Sequence, residues 1–227
     1  CTMTFQQDGR TLTGTDVLTM VNILQNLGLD ALGANCSLGP KEILHLVDEL
    51  VRYSKIPVII QPNAGLPKIQ DGKTVYEIEP QEFSLYAKAM AQKGVTILGG
   101  CCGTTPEHIR AVKNVLWGFS PGKRNVVDFT AASSYSKTVI LTEGISIIGE
   151  RINPSGKPKM KQALRNRTYD YILKEAIKQR DAGAKIINVN AGLPEIDEKQ
   201  AMIELVTKLQ GAVNSPLMFD STKPQVL

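Results

Sequence analysis

Three of the four cysteines stand where they could bind one metal ion. Cys101 and Cys102 are adjacent and have glycines on both sides, and Cys36 lies far upstream of them. Adjacent cysteines rarely form a disulfide because their side chains normally diverge, and thiols in a reducing compartment stay reduced. A metal-binding or catalytic role is therefore favoured over a disulfide. The alternative is that all three cysteines are inert, buried side chains.

The number of thiols indicates which kind of metal site to expect. Three thiolates suit a borderline-soft ion such as Zn²⁺, and three protein ligands leave one coordination position open, as in catalytic zinc sites. A structural site would be closed by a fourth Cys or a His, but the two histidines, His45 and His108, fall within predicted helices. We expect His108 to lie on a helix surface.

Strand and helix patterns alternate along the whole chain and must position these cysteines. Apolar runs that fit buried strands are residues 31–36, 57–61, 95–98, 145–149, 185–190 and 216–220, and helical patterns cover about 16–27, 40–53, 80–93, 105–116, 168–182 and 197–210. Pro40 suits the first position of its helix. The alternation predicts an α/β fold with parallel strands, either an open sheet or a closed barrel.

All three cysteines follow predicted strands, so they are expected at the rim where parallel α/β folds bind ligands. The sequence Asn-Ala-Gly-Leu-Pro occurs there twice, at residues 63–67 and 190–194. Residues 117–143 show neither strand nor helix periodicity, and we interpret them as a linker between two α/β units.

The formal charge of +4 is unevenly distributed. Residues 151–180 hold nine Lys or Arg against two acidic residues, which indicates either a solvated helix face or attraction for an anionic ligand. Nucleic acid is not expected as a partner because no recognition motif is present. No apolar stretch could cross a membrane and no leader pattern opens the chain, so we expect a soluble, cytoplasmic protein. Because a strand pattern begins at Cys1, we expect a fragment.

Three motifs carry a family resemblance. Residues 33–40 (Gly-Ala-Asn-Cys-Ser-Leu-Gly-Pro), 62–67 (Pro-Asn-Ala-Gly-Leu-Pro) and 99–106 (Gly-Gly-Cys-Cys-Gly-Thr-Thr-Pro) resemble, in order, the homocysteine methyltransferase barrel of cobalamin-dependent methionine synthases. The resemblance implies that Cys36, Cys101 and Cys102 are catalytic zinc ligands. It also implies that Asn63 can occupy the open zinc position when substrate is absent.

The rest of the chain is similar to a second part of the same enzymes. Residues 149–154, 188–190 and 219–222 resemble the opening of their pterin-binding barrel, which single-barrel betaine-type methyltransferases lack. The resemblance implies pterin contacts from Glu150, Asn153, Asn190 and Asp220. The family commonly has Asp where this chain has Asn188, which weakens any charged role there.

The resemblance implies parallel βα units from two TIM-type barrels, each incomplete. Residues 1–118 would be the C-terminal half of the homocysteine and zinc barrel, 119–144 a linker, and 145–227 the N-terminal part of the methyltetrahydrofolate barrel. The basic segment could attract the glutamate tail of the folate.

The expected function is zinc-dependent methyl transfer to homocysteine, giving methionine. Methyltetrahydrofolate would supply the methyl group through methylcobalamin, bound by a domain or subunit outside this chain. Two alternatives remain: another corrinoid-linked thiol methyltransferase, or a non-catalytic zinc-binding fragment, in which case the isolated chain is inactive.

Overall fold

A computed structural model describes residues 1–227, which form two compact units, residues 1–128 and 129–227. The first unit contains β1 (Thr2–Met3), α1 (Val17–Leu24), β2 (Leu32–Asn35), α2 (Leu44–Tyr53), β3 (Val58–Gln61), β4 (Lys68–Gln70), β5 (Lys73–Val75), α3 (Pro80–Gln92), β6 (Ile97–Leu98) and α4 (Pro106–Leu116). The second contains β7 (Ala131–Ser133), β8 (Thr138–Ile140), β9 (Ile148–Ile152), α5 (Pro158–Arg165), α6 (Asp170–Asp181), β10 (Ile186–Val189), α7 (Glu198–Ala212), β11 (Leu217–Phe219) and a 3₁₀ turn (Pro224–Val226).

The first unit is built on a four-stranded parallel sheet in the order β1-β2-β3-β6. Val58 and Ile60 of β3 are fully buried, and the core extends to the inner faces of α1 and α2. Each parallel pair is joined by a helix that returns the chain to the starting edge, so the sheet brings the carboxyl ends of β2, β3 and β6 to one rim.

An exposed hairpin interrupts this pattern between β3 and α3. Strands β4 and β5 pair antiparallel, and Asp71 and Gly72 at its tip have φ of 49° and 73°. Two consecutive positive φ values are typical of a type I′ turn, which Asp-Gly favours. The hairpin was not predicted because its side chains are mostly exposed and leave no apolar pattern.

The second unit has a three-stranded parallel sheet in the order β11-β10-β9, with β7 and β8 as a separate antiparallel hairpin. Strand β10 lies in the centre and is buried along its whole length. Helices α5, α6 and α7 cover one continuous apolar core with it. The polar side chains of Asn188 and Asp220 thus come to the carboxyl ends of neighbouring strands.

The predicted α/β class with parallel βα units is confirmed, and neither sheet closes into a barrel. Several boundaries were wrong. Helix α2 begins at Leu44, not Pro40, because residues 41–43 form a turn, and α5 at Pro158–Arg165 was not predicted. The segment interpreted as a linker, 119–144, contains the β7–β8 hairpin and divides between the two units at residue 128, and its role as a linker stays a prediction. None of the helices is both long and apolar enough to span a bilayer.

Candidate functional site

The sulfur atoms of Cys36, Cys101 and Cys102 lie within 4.8 Å of one another. The Sγ of Cys102 is 3.6 Å from that of Cys36 and 3.9 Å from that of Cys101. Tetrahedral zinc with 2.3 Å bonds to sulfur separates its thiolates by roughly 3.8 Å. The three thiols therefore fit a zinc ion in both donor type and spacing.

Cys36 reaches this cluster through an unusual backbone. Cys36 and Ser37 have φ of 61° and 60°, consecutive left-handed conformations that are strained for residues other than glycine. The turn is held by a hydrogen bond from the Cys36 N–H to the Gln61 carbonyl (3.0 Å) and one from the Leu38 N–H to the Cys36 carbonyl (2.7 Å). The chain therefore leaves β2 in a sharp, fixed turn.

The two adjacent cysteines are held by the loop that follows β3. The Cys101 N–H donates to the Pro62 carbonyl (2.8 Å), and the Ala64 N–H donates to the Cys102 carbonyl (2.9 Å). The Cys102 N–H also donates to Oδ1 of Asn63, at 3.1 Å. These three bonds fix the two strand-exit loops to each other, so the cluster has a defined shape.

Cys36 and Cys101 differ in how readily their thiols ionise. Burial would raise the pKa of Cys36, but a hydrogen bond from the Ser37 backbone and bonds to the Cys102, Cys101 and Asn63 side chains lower it overall. Burial, followed by the hydrogen bonds to Cys36 and Cys102, raises the pKa of Cys101. Cys36 is therefore better prepared than Cys101 to be a thiolate.

Asn63 is buried within this network, with 2% of its surface exposed. Its oxygen accepts from the Cys102 N–H, and its side chain also hydrogen-bonds to Cys36. The structure thus places Asn63 beside the cysteines, in contact with two of them. Its predicted place in the open zinc position stays a prediction.

Tyr76 also contacts the cysteines, although no sequence motif indicated it. The residue follows the exposed hairpin, and partial burial, then a hydrogen bond to the Cys102 side chain and the negative charge of the cluster, raise its pKa. The phenol therefore keeps its proton at neutral pH. Sequence analysis missed Tyr76 because the hairpin that places it was not predicted.

His108 is not on a helix surface, as was expected, but is 6% exposed. Its Nδ1 accepts from the Thr105 N–H at 3.1 Å, so Nε2 carries the proton and donates to the Ile78 carbonyl at 2.9 Å. Its ring also meets that of Phe83 edge-on, with centroids 5.4 Å apart. His108 is therefore not a candidate metal ligand, because both its nitrogens have other partners.

In the second unit, three side chains meet at the ends of β10 and β11. Oδ2 of Asp220 accepts from Nδ2 of Asn190 at 3.1 Å and from Nδ2 of Asn188 at 3.3 Å. Oδ1 of Asn188 is buried and has no hydrogen-bond partner. An unsatisfied buried acceptor is uncommon, and here it lies beside a carboxylate at the carboxyl ends of the strands, where parallel α/β sheets commonly bind ligands.

An open cavity of about 440 Å³ adjoins these groups, with Ile148, Glu150, Asn188, Met218, Phe219 and Asp220 lining it. Met218 and Phe219 are 41% and 45% exposed, so they offer apolar surface to a planar ligand. Of the four predicted pterin contacts, Glu150 and Asp220 line this cavity. Asn153 connects to it through a 2.7 Å bond to Glu150, and Asn190 through Asp220.

Asn190 instead lines a second, adjacent cavity of about 430 Å³ together with Glu198, Ser221 and Lys223. Glu198 is 5% exposed and pairs with Nζ of Lys223 at 3.1 Å. The Ser221 hydroxyl donates to the same carboxylate at 2.5 Å. Sequence analysis did not single out Glu198 or Lys223, because the contacts of Glu198 join a helix to a loop more than 20 residues away.

Comparison with known proteins agrees with the cysteine geometry. Residues 1–116 match the model of the family described as Homocysteine S-methyltransferase. The chain is 31% identical to methionine synthase of Mycobacterium tuberculosis (strain ATCC 25618 / H37Rv) and 31% identical to that of Mycobacterium leprae (strain TN). Each match covers 99% of this chain but 19% of the relative. The chain belongs to the homocysteine S-methyltransferase family.

Proposed function

We propose that this chain is part of an enzyme that methylates the sulfur of homocysteine to give methionine. Methyltetrahydrofolate is the proposed methyl source, through cobalamin bound outside this chain. The observation that supports the proposal best is the cluster of three sulfur atoms within 4.8 Å, in a chain of the homocysteine S-methyltransferase family. Because the chain spans 19% of its relatives, the proposed turnover concerns the longer protein. The proposed metal binding, in contrast, can be tested on this chain, because all three cysteines belong to it.

Cys36, Cys101 and Cys102 are the proposed zinc ligands. A free thiol has a pKa near 8.5 and is mostly protonated at neutral pH, whereas the thiolate is the nucleophile. When bound, zinc supplies the positive charge that keeps a substrate thiol deprotonated. Three thiolates carry more negative charge than the ion carries positive charge. The cysteines therefore leave a substrate sulfur electron-rich enough to attack a methyl group.

Asn63 and the strand-exit loops have a supporting role in this proposal. The Asn63 side chain contacts Cys36 and the Cys102 backbone, so it keeps ligands from two separate loops in register. A preformed cluster reduces the rearrangement needed when the ion and the substrate bind.

The second unit is the proposed pterin site. The carboxylate of Asp220 can accept hydrogen bonds from a pterin ring, and Asn188 and Asn190 hold that carboxylate in place. Phe219 and Met218 provide apolar contact for the ring, and Glu150 provides a second carboxylate in the same cavity. Asn153 orients Glu150 by donating to it.

Zinc content of the purified 227-residue chain tests the metal site. Cys102→Ser should lower zinc affinity by more than the roughly 100-fold that loss of an outer hydrogen-bond partner can cause, because it removes a ligand. Cys1→Ser is the matched control, since Cys1 is an exposed cysteine outside the cluster. Metal analysis after dialysis should find zinc in wild type and Cys1→Ser alone. Equal zinc in Cys102→Ser would contradict the assignment.

Folate binding to the same chain tests the second site. Asp220→Ala should raise the Kd for methyltetrahydrofolate by about 10- to 100-fold, because it removes charged hydrogen-bond acceptors, and should leave zinc content unchanged. Glu195→Ala, an exposed acid of the same unit, should bind folate like wild type. Calorimetry measures both constants, and an unchanged Kd in Asp220→Ala would remove that residue from the site.

A further inference from the structure

Glu198 lies where the two loops of the proposed pterin site meet. The residue is the first of helix α7 and is 5% exposed. Its Oε1 accepts from the Ser221 hydroxyl at 2.5 Å, and its Oε2 pairs with Nζ of Lys223 at 3.1 Å. A Cβ atom at Gly192 would lie 3.7 Å from the same Oε1, so the carboxylate is also close to the loop that follows β10. Glu198 thus meets the loops after both β10 and β11.

These contacts fix the turn that directly follows Asp220. The Ser221 hydroxyl donates its hydrogen to Glu198 and accepts the Lys223 N–H at 3.1 Å, so the carboxylate orients the hydroxyl that closes the turn. On the other side, the Asp220 N–H donates to the Val189 carbonyl at 3.0 Å. The backbone of Asp220 is therefore held between strand β10 and a turn that Glu198 anchors.

Helix α7 does not depend on Glu198 to begin. Its N-cap is Asp197, whose side chain accepts from the Gln200 N–H at 3.1 Å. An ion pair such as that of Glu198 and Lys223 also adds little net stability, because the buried carboxylate loses its water on folding. The contacts of Glu198 are therefore better explained by the two loops that they join than by the helix that carries the residue.

We propose that Glu198 is a positioning residue for Asp220 and acts through Ser221 and Lys223. The inference rests on the proposed pterin site. The Asp220 carboxylate accepts from Asn190 at 3.1 Å, a bond that joins the two loops. A shift of the Asp220 backbone would lengthen this bond and turn the carboxylate away from its place in the cavity. Residues that touch a ligand keep their geometry when a second layer of contacts supports them, and Glu198 supplies that layer.

Calorimetric binding of methyltetrahydrofolate to the full 227-residue chain tests this role. Glu198→Gln keeps the size of the side chain but removes the charge that holds Lys223. Its Kd should be about 10-fold that of wild type, a coupling within the range found for residues of one hydrogen-bond network. Glu204→Gln is the matched control, since Glu204 lies on the same helix and pairs with Arg167 at 3.3 Å, outside both loops. This control should bind folate like wild type.

A double variant separates positioning from a general loss of stability. If Glu198 acts through Asp220, Glu198→Gln should not raise the Kd further in a chain that already carries Asp220→Ala. An equal rise in both backgrounds would show a merely structural role and contradict the proposal. An unchanged Kd in Glu198→Gln, with a raised Kd in Asp220→Ala, would remove the role of Glu198 and leave the pterin site. If wild type binds no folate, the pterin site and the role of Glu198 are both wrong.

Discussion

At the scale of single residues, His108 connects the beginning of helix α4 to the segment that follows Tyr76. Its two ring nitrogens have different partners, the N–H of Thr105 and the carbonyl of Ile78. One side chain therefore satisfies a backbone donor at the helix N-terminus and an acceptor in another loop.

His108→Ala should lower the free energy of unfolding of the first unit by about 2–4 kcal/mol, because it loses a helix cap and leaves the Ile78 carbonyl unpaired. His108→Gln should recover about 1 kcal/mol of this, since glutamine at the third helical position can accept from the Thr105 N–H. Chemical denaturation measures both variants. Equal stability of wild type and His108→Ala would show that these hydrogen bonds make no net contribution to the free energy of unfolding.

Residue types alone were sufficient to predict the thiol cluster, since glycines around Cys101 and Cys102 indicated freedom from strand geometry. The left-handed turn at Cys36 and Ser37 was not predictable, because neither is glycine. The conformation is imposed by two hydrogen bonds, from the Cys36 N–H to the Gln61 carbonyl and from the Leu38 N–H to the Cys36 carbonyl. Tyr76 was missed for the same kind of reason. Its contact depends on Gly103, which is distant in sequence.

At the scale of elements, Glu175 joins helix α6 to strand β9. Its side chain is 11% exposed and accepts from Lys178 on the same helix at 3.0 Å and from Nε of Arg151 on β9 at 3.3 Å. The hydrogen bond from Lys178 is the largest influence and, with Arg151 and against burial, lowers the pKa of Glu175. The charged form of Glu175 is therefore more stable in the folded chain than in the unfolded chain.

Glu175→Gln should destabilise the second unit by about 1–2 kcal/mol at neutral pH, since its cationic partners are well exposed and screened. A lowered folded-state pKa gives stability that is present above the unfolded pKa and is lost as pH falls through the folded one. The deficit of Glu175→Gln should therefore shrink below the ordinary glutamate pKa. Denaturation at several pH values measures it, with Glu143→Gln, an exposed acid of the same unit, as a control that should match wild type. A deficit independent of pH would contradict this account.

Elements with a clear apolar period were the predictable ones. Strand β3 and helix α3 lie within one or two residues of their predicted ranges, because Val58, Ile60 and Phe83 face a core. The short helix α5 was missed because it is strongly basic and buries only three residues. The β7–β8 hairpin was missed because its strands have three residues each.

At the scale of the whole molecule, the basic segment is largely neutralised. Arg151, Lys157, Arg165, Arg167, Lys178 and Arg180 all form ion pairs with acidic side chains. Exposed pairs of this kind contribute little stability, and they also reduce the attraction for an anionic ligand. The pairing favours the interpretation of a solvated helix face, so the folate-tail hypothesis has less support.

The division into two units predicts where the loss of metal is felt. Chelation of the zinc-loaded chain should speed amide exchange by about 10-fold or more around residues 32–38, 58–64 and 97–103. Once the ion is removed, the three cysteines no longer join these loops to one another. Strands β9 to β11, in the other unit, should be unaffected. Hydrogen exchange with mass spectrometry measures the exchange rates of the two units separately. Equal acceleration in both units would contradict the assignment of the ion to the first.

The preformed triangle of sulfur atoms also has a cost in selectivity. Thiolates suit Cu(I) as well as zinc, and across divalent ions affinity peaks at copper. A site of three sulfur atoms within 4.8 Å of one another, with no histidine or carboxylate in the cluster, cannot reject such an ion by donor type. At the proposed zinc site, the choice of metal must therefore depend on which metals the surroundings supply, and excess copper would compete with zinc for the three thiols.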